Sequence, residues 1–145
     1  GRRWVDEYDT PCNFQRIAEI KRAIQIPVVA NGDIADRETL LQVMSETGCD
    51  AYMISRAGTG KPWLFEELLT GLAVDVDLNK KTQLFMMHLQ GLAALESEYK
   101  AVLQSKSLVR YYFKPYVNET FLKTFYALKC LDEIKRLLPL LSATN

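Results

Sequence analysis

The sequence has few of the residues that staple small domains or ligate metals. Its three cysteines, Cys12, Cys49 and Cys130, are odd in number and far apart, and its one histidine is His88. With no CxxC pair and no Cys/His spacing, neither a disulfide framework nor a zinc or other metal site is indicated. Unpaired thiols point to a reducing compartment, so a cytoplasmic location is expected. No apolar run approaches the roughly 20 residues of a membrane helix and no signal-peptide pattern is visible, which argues against a membrane partner. Net charge is lacking too, 18 Lys and Arg balancing 18 Asp and Glu. Solenoid repeats and low-complexity tracts are absent. The sequence begins at Gly1 rather than Met, and the expectation is a piece of a longer protein.

The neutral total hides an uneven split. Residues 1–77 carry 8 basic against 13 acidic side chains, and residues 78–145 carry 10 against 5, so the halves stand at −5 and +5. Such asymmetry suggests two units with different partners, the basic one facing a polyanion such as nucleic acid. The plainer reading is an acidic face docking on a basic face within one molecule.

The first half is organised around Pro27-Val28-Val29-Ala30-Asn31-Gly32-Asp33-Ile34 and its echo, Asp50-Ala51-Tyr52-Met53-Ile54-Ser55-Arg56. Each is a short apolar run ending in a polar turn, with one helix length between them, the pattern of a parallel βαβ unit. Residues 1–10 read as a loop. A helix is expected behind Asn13 as N-cap, with the stripe Phe14, Ile17, Ile20 and Ile24. Asp36 caps a second helix with Leu40, Leu41, Val43 and Met44 on its apolar face, and Gly48 is its left-handed stop. Arg56 to Pro62 forms a small-residue turn leading into a helix with Pro62 at its start, and residues 71–79 look like a linker.

Beyond it the sequence is helical throughout. Leu84, Met87, His88, Gly91, Leu95 and Tyr99 share one face, Val102, Val109, Tyr112 and Phe113 another, and Phe121, Phe125 and Leu128 a third. The stripe then rotates to Ala127, Leu131, Ile134, Leu138 and Leu141, so a break is expected near Lys129. Two parallel strands bury too little to stand alone, and a barrel of this class needs eight. The predicted fold is therefore α/β followed by all-α. Residues 1–77 hold two strands, about a quarter, of a partial (β/α)8 TIM barrel, and residues 78–145 a bundle of three to five helices. The remaining strands were removed, lie on another chain, or are replaced by a second copy, the first being the plainest account.

Active sites of such barrels gather at the carboxyl ends of the strands, where the last loops commonly hold a phosphate. Gly32 has no side chain to block a close approach, Arg56 offers a planar fork to phosphate oxygens, and Gly58, Thr59 and Gly60 precede a helix with amides to spare. The plainer reading is that Asn31 and Asp33 shape a turn and Arg56 pairs with a carboxylate. Lys106, Arg110 and Lys114 are spaced four apart on one helical face, with Tyr111 and Tyr112 alongside. Cations on phosphates and rings on exposed bases suit single-stranded or loop RNA, although a basic stripe can also be a solvated face. His88 has no carboxylate placed to orient it and reads as a core-edge histidine, while Cys12 and Cys49 read as inert.

Three stretches, Ile26-Pro27-Val28-Val29-Ala30-Asn31-Gly32-Asp33-Ile34, Thr47-Gly48-Cys49-Asp50-Ala51-Tyr52-Met53-Ile54-Ser55-Arg56-Ala57 and Gly60-Lys61-Pro62-Trp63-Leu64-Phe65, resemble the closing strands of the tRNA-dihydrouridine synthase family. Gly1-Arg2-Arg3 with Tyr8 and Pro11 is similar to the loop after that family's histidine-containing strand, and residues 78–145 are similar to its carboxyl-terminal tRNA-binding domain. The resemblance implies an FMN-bearing TIM barrel that reduces the C5–C6 double bond of a tRNA uridine, with NADPH as electron donor. It implies that Asn31, Gly32 and Asp33 meet the ribityl–phosphate end of the flavin and that Ser55 and Arg56 meet its phosphate; with it, the basic stripe Lys106, Arg110 and Lys114 is expected to grip tRNA by charge. The family usually has Gly where Ser55 stands, and the added hydroxymethyl either crowds the phosphate or donates a hydrogen bond to it.

The family's general-acid cysteine belongs to an asparagine-rich motif earlier in the barrel, and its flavin-contacting lysine and histidine also lie upstream. None of the three cysteines here sits in such a motif, so the resemblance implies no catalytic residue in this chain. It also implies that the 145 residues alone are inactive and need the missing amino-terminal part of the barrel. Two further readings are a non-enzymatic RNA-binding helical module and another FMN-dependent barrel oxidoreductase, such as a dihydroorotate- or lactate-oxidising type.

Overall fold

The computed structural model describes Glu7 and residues 10–143. Apart from Glu7 and Thr10, the loop expected over residues 1–10 lies outside the described residues, and so do Gly1-Arg2-Arg3 and Tyr8. The described chain is mostly helical with a small two-stranded parallel sheet, and it divides into two compact units, Gly1–Val74 and Asp75–Asn145.

In the first unit, helix α1 (Phe14–Ala23) starts where the Asn13 side chain accepts a hydrogen bond from the Arg16 amide. Strand β1 (Val29–Asn31) follows Pro27, and helix α2 (Arg37–Thr47) crosses over to strand β2 (Ala51–Met53). A reciprocal capping box between Asp36 and Thr39 opens α2, and Gly48 closes it at φ 59°. The strands pair in parallel with Val29 opposite Ala51, Ala30 opposite Tyr52 and Asn31 opposite Met53. They are shorter than the expected runs. Pro27 has no N–H to give before β1, and beyond Asn31 the chain swings through positive φ at Gly32 (135°) and Asp33 (53°).

A single carboxylate ties down the other end of the sheet. Asp50 accepts from the Lys21 ammonium at 2.7 and 2.9 Å and from the Val28 amide at 2.7 Å, joining α1 to the start of both strands. The core beneath is small: Ala30, Ile34, Val43 and Cys49, with Phe14, Ile17, Leu40 and Tyr52 against it. Ile20 and Ile24 of the expected α1 stripe are exposed, as are Leu41 and Met44 of α2, because this core reaches only the first turns of α1 and one side of the α2 stripe, at Leu40 and Val43. The other face of the sheet is uncovered, with Val29 59% and Met53 53% exposed.

After β2 comes a 3-10 turn, Arg56–Gly58, and then helix α3 (Leu64–Thr70). Pro62 does not begin α3 as the sequence suggests. The Leu64 amide donates to the Lys61 carbonyl, so a tight turn over residues 61–64 comes first and Trp63 is the N-cap. Gly71 ends α3 at φ 74°, where the Arg37 guanidinium donates to the Leu68 carbonyl.

Among the described residues the second unit has four helices, α4 (Leu78–Leu95), α5 (Glu98–Phe113), α6 (Glu119–Ala127) and α7 (Leu131–Leu137), followed by a 3-10 segment, Leu138–Ala143. Asp77, Ser97 and Asn118 cap the first three, each accepting from an amide three residues on. Phe85, Leu89, Val109, Phe113, Phe125, Ile134 and Leu138 are its fully buried centre. The inner face of α4 is Phe85 and Leu89, one step round from the expected Leu84, Met87, His88, Gly91 and Leu95. Two apolar stripes run along this helix. The one carrying Phe85 wins because its ring meets Tyr112 and Phe113 edge-on, with centroids 5.1 and 5.3 Å apart. The break between α6 and α7 falls at Leu128–Cys130, where the Lys129 amide donates to the Glu133 carboxylate at 2.7 Å.

Three carboxylates of the first unit sit below the usual carboxylate range. The Thr39 amide does this to Asp36, the Lys21 ammonium and then the Val28 amide to Asp50, and the Lys61 ammonium to Glu67. Each is harder to protonate folded than unfolded, so its contribution to stability is complete above the ordinary carboxylate range and is lost as pH falls through the lowered values. Trp63 lies in this unit, and residues 75–145 contain no tryptophan. The urea midpoint read by tryptophan fluorescence should therefore fall between neutral pH and pH about 3, and Asp50→Asn should lower the neutral midpoint and flatten that acid limb. An unchanged limb in Asp50→Asn would contradict the assignment.

Candidate functional site

The carboxyl ends of β1 and β2 lie side by side because the strands are parallel and in register. The Asn31 side-chain amide donates to the Met53 carbonyl at 3.0 Å, tying one tip to the other. Left-handed φ at Gly32 and Asp33 then turns the chain sharply, and Asp33 is the one non-glycine with positive φ among the described residues. Its carboxylate is put to use. Asp33 Oδ2 accepts from the Cys12 amide at 3.0 Å, and Oδ1 lies 3.6 Å from Arg56 Nη2.

Arg56 itself leaves the second tip directly after Ser55, and its side chain is 60% exposed. A pair this long and this wet contributes little to stability. Asn31, Gly32 and Asp33 from one tip, and Ser55 and Arg56 from the other, line a single cavity of about 680 Å³ with Ile34, Ala35, Met53 and Ala57. The five residues singled out in the sequence are thus brought together.

The amides expected at Gly58 and Thr59 are not available there. They donate to the Ser55 and Arg56 carbonyls and close the 3-10 turn. Cys12, read as inert, touches the site instead. Its Sγ lies 3.7 Å from the Asn31 carbonyl oxygen, and a Cβ built on Gly32 would fall 2.0 Å from that sulfur. Cys49 is buried in the core and Cys130 is the N-cap position of α7.

On the second unit, Lys106 and Arg110 lie on α5, and Lys114 is the residue that ends it. The three are not equivalent. Arg110 Nε donates to the Tyr126 hydroxyl at 2.9 Å and Nη2 lies 3.8 Å from Glu119 Oε1, so the Tyr126 hydrogen bond holds the Arg110 pKa above its ordinary range. Of the two tyrosines expected beside the stripe, Tyr111 is exposed, whereas Tyr112 is buried against Phe85. Burial pushes the Tyr112 phenol up, and its oxygen lies 3.2 Å from His88 Nδ1 at the edge of the core. Among the described residues no cluster of three His, Cys, Asp or Glu is placed to hold a metal ion, and no helix is long and apolar enough to cross a membrane.

A parallel strand pair with a cation and a bare turn at its tips, in a chain that also carries a basic-striped helical bundle, describes a class of architecture. Comparison with known proteins gives the family. The family model described as Dihydrouridine synthase (Dus) matches residues 1–139. The chain is 38% identical over 119 residues to tRNA-dihydrouridine synthase B of Xanthomonas axonopodis pv. citri, covering 79% of this chain and 36% of that protein. It is 30% identical over 139 residues to tRNA-dihydrouridine synthase B of Serratia marcescens, covering 92% of this chain and 42% of that one. With a probable tRNA-dihydrouridine synthase of Aquifex aeolicus it shares 28% over 126 residues, 86% of this chain and 40% of the relative. The chain therefore belongs to the dihydrouridine synthase family, and it spans about two fifths of the length of these relatives.

Gly32 should tolerate no side chain. Gly32→Ala meets the Cys12 sulfur and adds a Cβ at φ 135°, and should lower the stability of the first unit by about 1–3 kcal/mol in tryptophan-monitored urea unfolding. Adding Cys12→Ala should restore only part of this, since it removes the clash and leaves the backbone strain. A Gly32→Ala protein as stable as the parent would refute the contact.

Proposed function

We propose that this chain supplies the flavin-phosphate end and the tRNA-holding unit of an FMN-dependent tRNA-dihydrouridine synthase, which reduces a tRNA uridine to 5,6-dihydrouridine at the expense of NADPH. In this reading β1 and β2 are the last two strands of a (β/α)8 barrel. Residues 1–77 belong to its catalytic domain, and residues 78–145 form the helical tRNA-binding domain. The observation that carries it is the shared cavity at the strand tips, in a chain of this family.

The residues present suit a flavin phosphate. Arg56 brings an exposed cation that cannot lose its proton, Gly32 lets backbone approach, and Ser55 adds an exposed hydroxyl. The Asp33 carboxylate is engaged by the Cys12 amide and faces the guanidinium, which blunts its repulsion of an anion. When bound, FMN supplies the hydride for the uracil ring. This chain's part is to neutralise the phosphate through Arg56, keep the two tips together through Asn31, and hold the turn open through Gly32. The general acid and the remaining flavin contacts come from outside these residues, so no catalytic residue is assigned here. Lys106, Arg110 and Lys114 hold tRNA through its phosphates, with Tyr111 exposed beside them.

The 145 residues alone should neither hold FMN nor oxidise NADPH. In a chain that carries the rest of the catalytic domain, Arg56→Ala should weaken flavin retention on the order of tenfold, read by flavin fluorescence during dialysis. Retention equal to the parent would remove Arg56 from the phosphate role.

Reversing the stripe with Lys106→Glu, Arg110→Glu and Lys114→Glu should weaken binding of an unmodified tRNA and flatten its dependence on salt, because fewer counterions are released. Equal affinity and equal slope would speak for a solvated face with no RNA on it.

A further inference from the structure

Of the three cations of the stripe, Arg110 is held from another helix of its own unit. The Tyr126 hydroxyl of α6 accepts from its Nε at 2.9 Å, and the Tyr126 ring is fixed in turn, half-buried on the core and edge-on to Phe125 with centroids 6.4 Å apart. Glu119, the first residue of α6, brings Oε1 to 3.8 Å from Nη2, beyond hydrogen-bond reach, with its side chain 82% exposed. A guanidinium has five N–H donors in a flat fork. Tyr126 takes the one on Nε, and the end-on edge, one N–H from each terminal nitrogen, is the edge that matches two oxygens of a phosphate. Glu119 stands near that edge as a weak, water-screened carboxylate, and the amino end of α6 favours its charge whether or not Arg110 is near.

We infer that Tyr126 is a positioning residue that presents the Arg110 fork to an RNA phosphate, and that Glu119 is an internal competitor which the phosphate displaces. The inference rests on reading the helical unit as tRNA-binding. A long side chain that is already ordered loses less freedom on binding, so the Tyr126 hydrogen bond favours the complex although it touches no RNA. Glu119 opposes it by occupying the same field.

The test uses the full chain and an unmodified tRNA transcript, with affinity measured over a salt series. Arg110→Ala should weaken binding and reduce the salt slope by about one, the mark of a lost phosphate contact. Tyr126→Phe keeps the charge and the ring, so it should weaken binding about three- to tenfold with the slope unchanged. Glu119→Gln should strengthen binding about two- to threefold. In the Arg110→Ala background Tyr126→Phe should have no further effect.

If Arg110→Ala changes neither affinity nor slope, the tRNA reading fails at this residue and the inference with it. If Arg110→Ala weakens binding while Tyr126→Phe binds like the parent, the positioning role is wrong and the tRNA reading stands. A Tyr126→Phe loss that persists undiminished in the Arg110→Ala background would mark a structural effect and also overturn the role.

Discussion

The register of one three-residue strand pair governs the rest of the first unit. With Val29, Ala30 and Asn31 opposite Ala51, Tyr52 and Met53, the tips that end in Gly32-Asp33 and Ser55-Arg56 lie level and share a cavity. A slip by one residue would turn Asn31 toward the helices and bring Ala30 out, since side chains alternate faces along a strand. So short a pairing needs outside help to be unique. Asp50 fixes it at one end through the Val28 amide and Lys21, and the Asn31 side chain fixes it at the other through the Met53 carbonyl.

Cap chemistry was readable in the sequence, whereas encounters between distant segments and the tight turns around residues 55–64 were not. Asn13, Asp36 and Gly48 do as caps what their side chains or backbone freedom dictate, whatever the rest of the chain does. The strand tips were legible for the same reason, as a β-branched run followed by Gly and Asp can do little else. The contact of Cys12 with Gly32 had no signal, because twenty residues separate them and a thiol has no spacing rule unless it ligates or bridges. The choice between the two apolar stripes of α4 was settled by the Phe85 ring among Tyr112 and Phe113, partners that lie on another helix. The amides of Gly58 and Thr59 seemed available only while the 3-10 turn that consumes them was unseen.

Each of the two arginines of interest has a carboxylate near it at long range, on a different scaffold. Arg56 stands 3.6 Å from Asp33 and Arg110 stands 3.8 Å from Glu119, both distances too long for a hydrogen bond and both in reach of water. Tight, buried pairing would lock such a charge and would cost desolvation on both partners. At these distances the carboxylate restrains where the cation dwells without cancelling its attraction for another anion.

The sheet described above has one further consequence. Among the described residues the sheet is two strands with Val29 and Met53 bare on one face, and in the proposed barrel its outer edges would meet neighbouring strands. At the approach to β1, Pro27 has no N–H to give, and the Val28 N–H is turned inward to Asp50 at the head of β2. Whatever segment lies beside β1, the backbone donors that β1 offers it begin beyond Pro27.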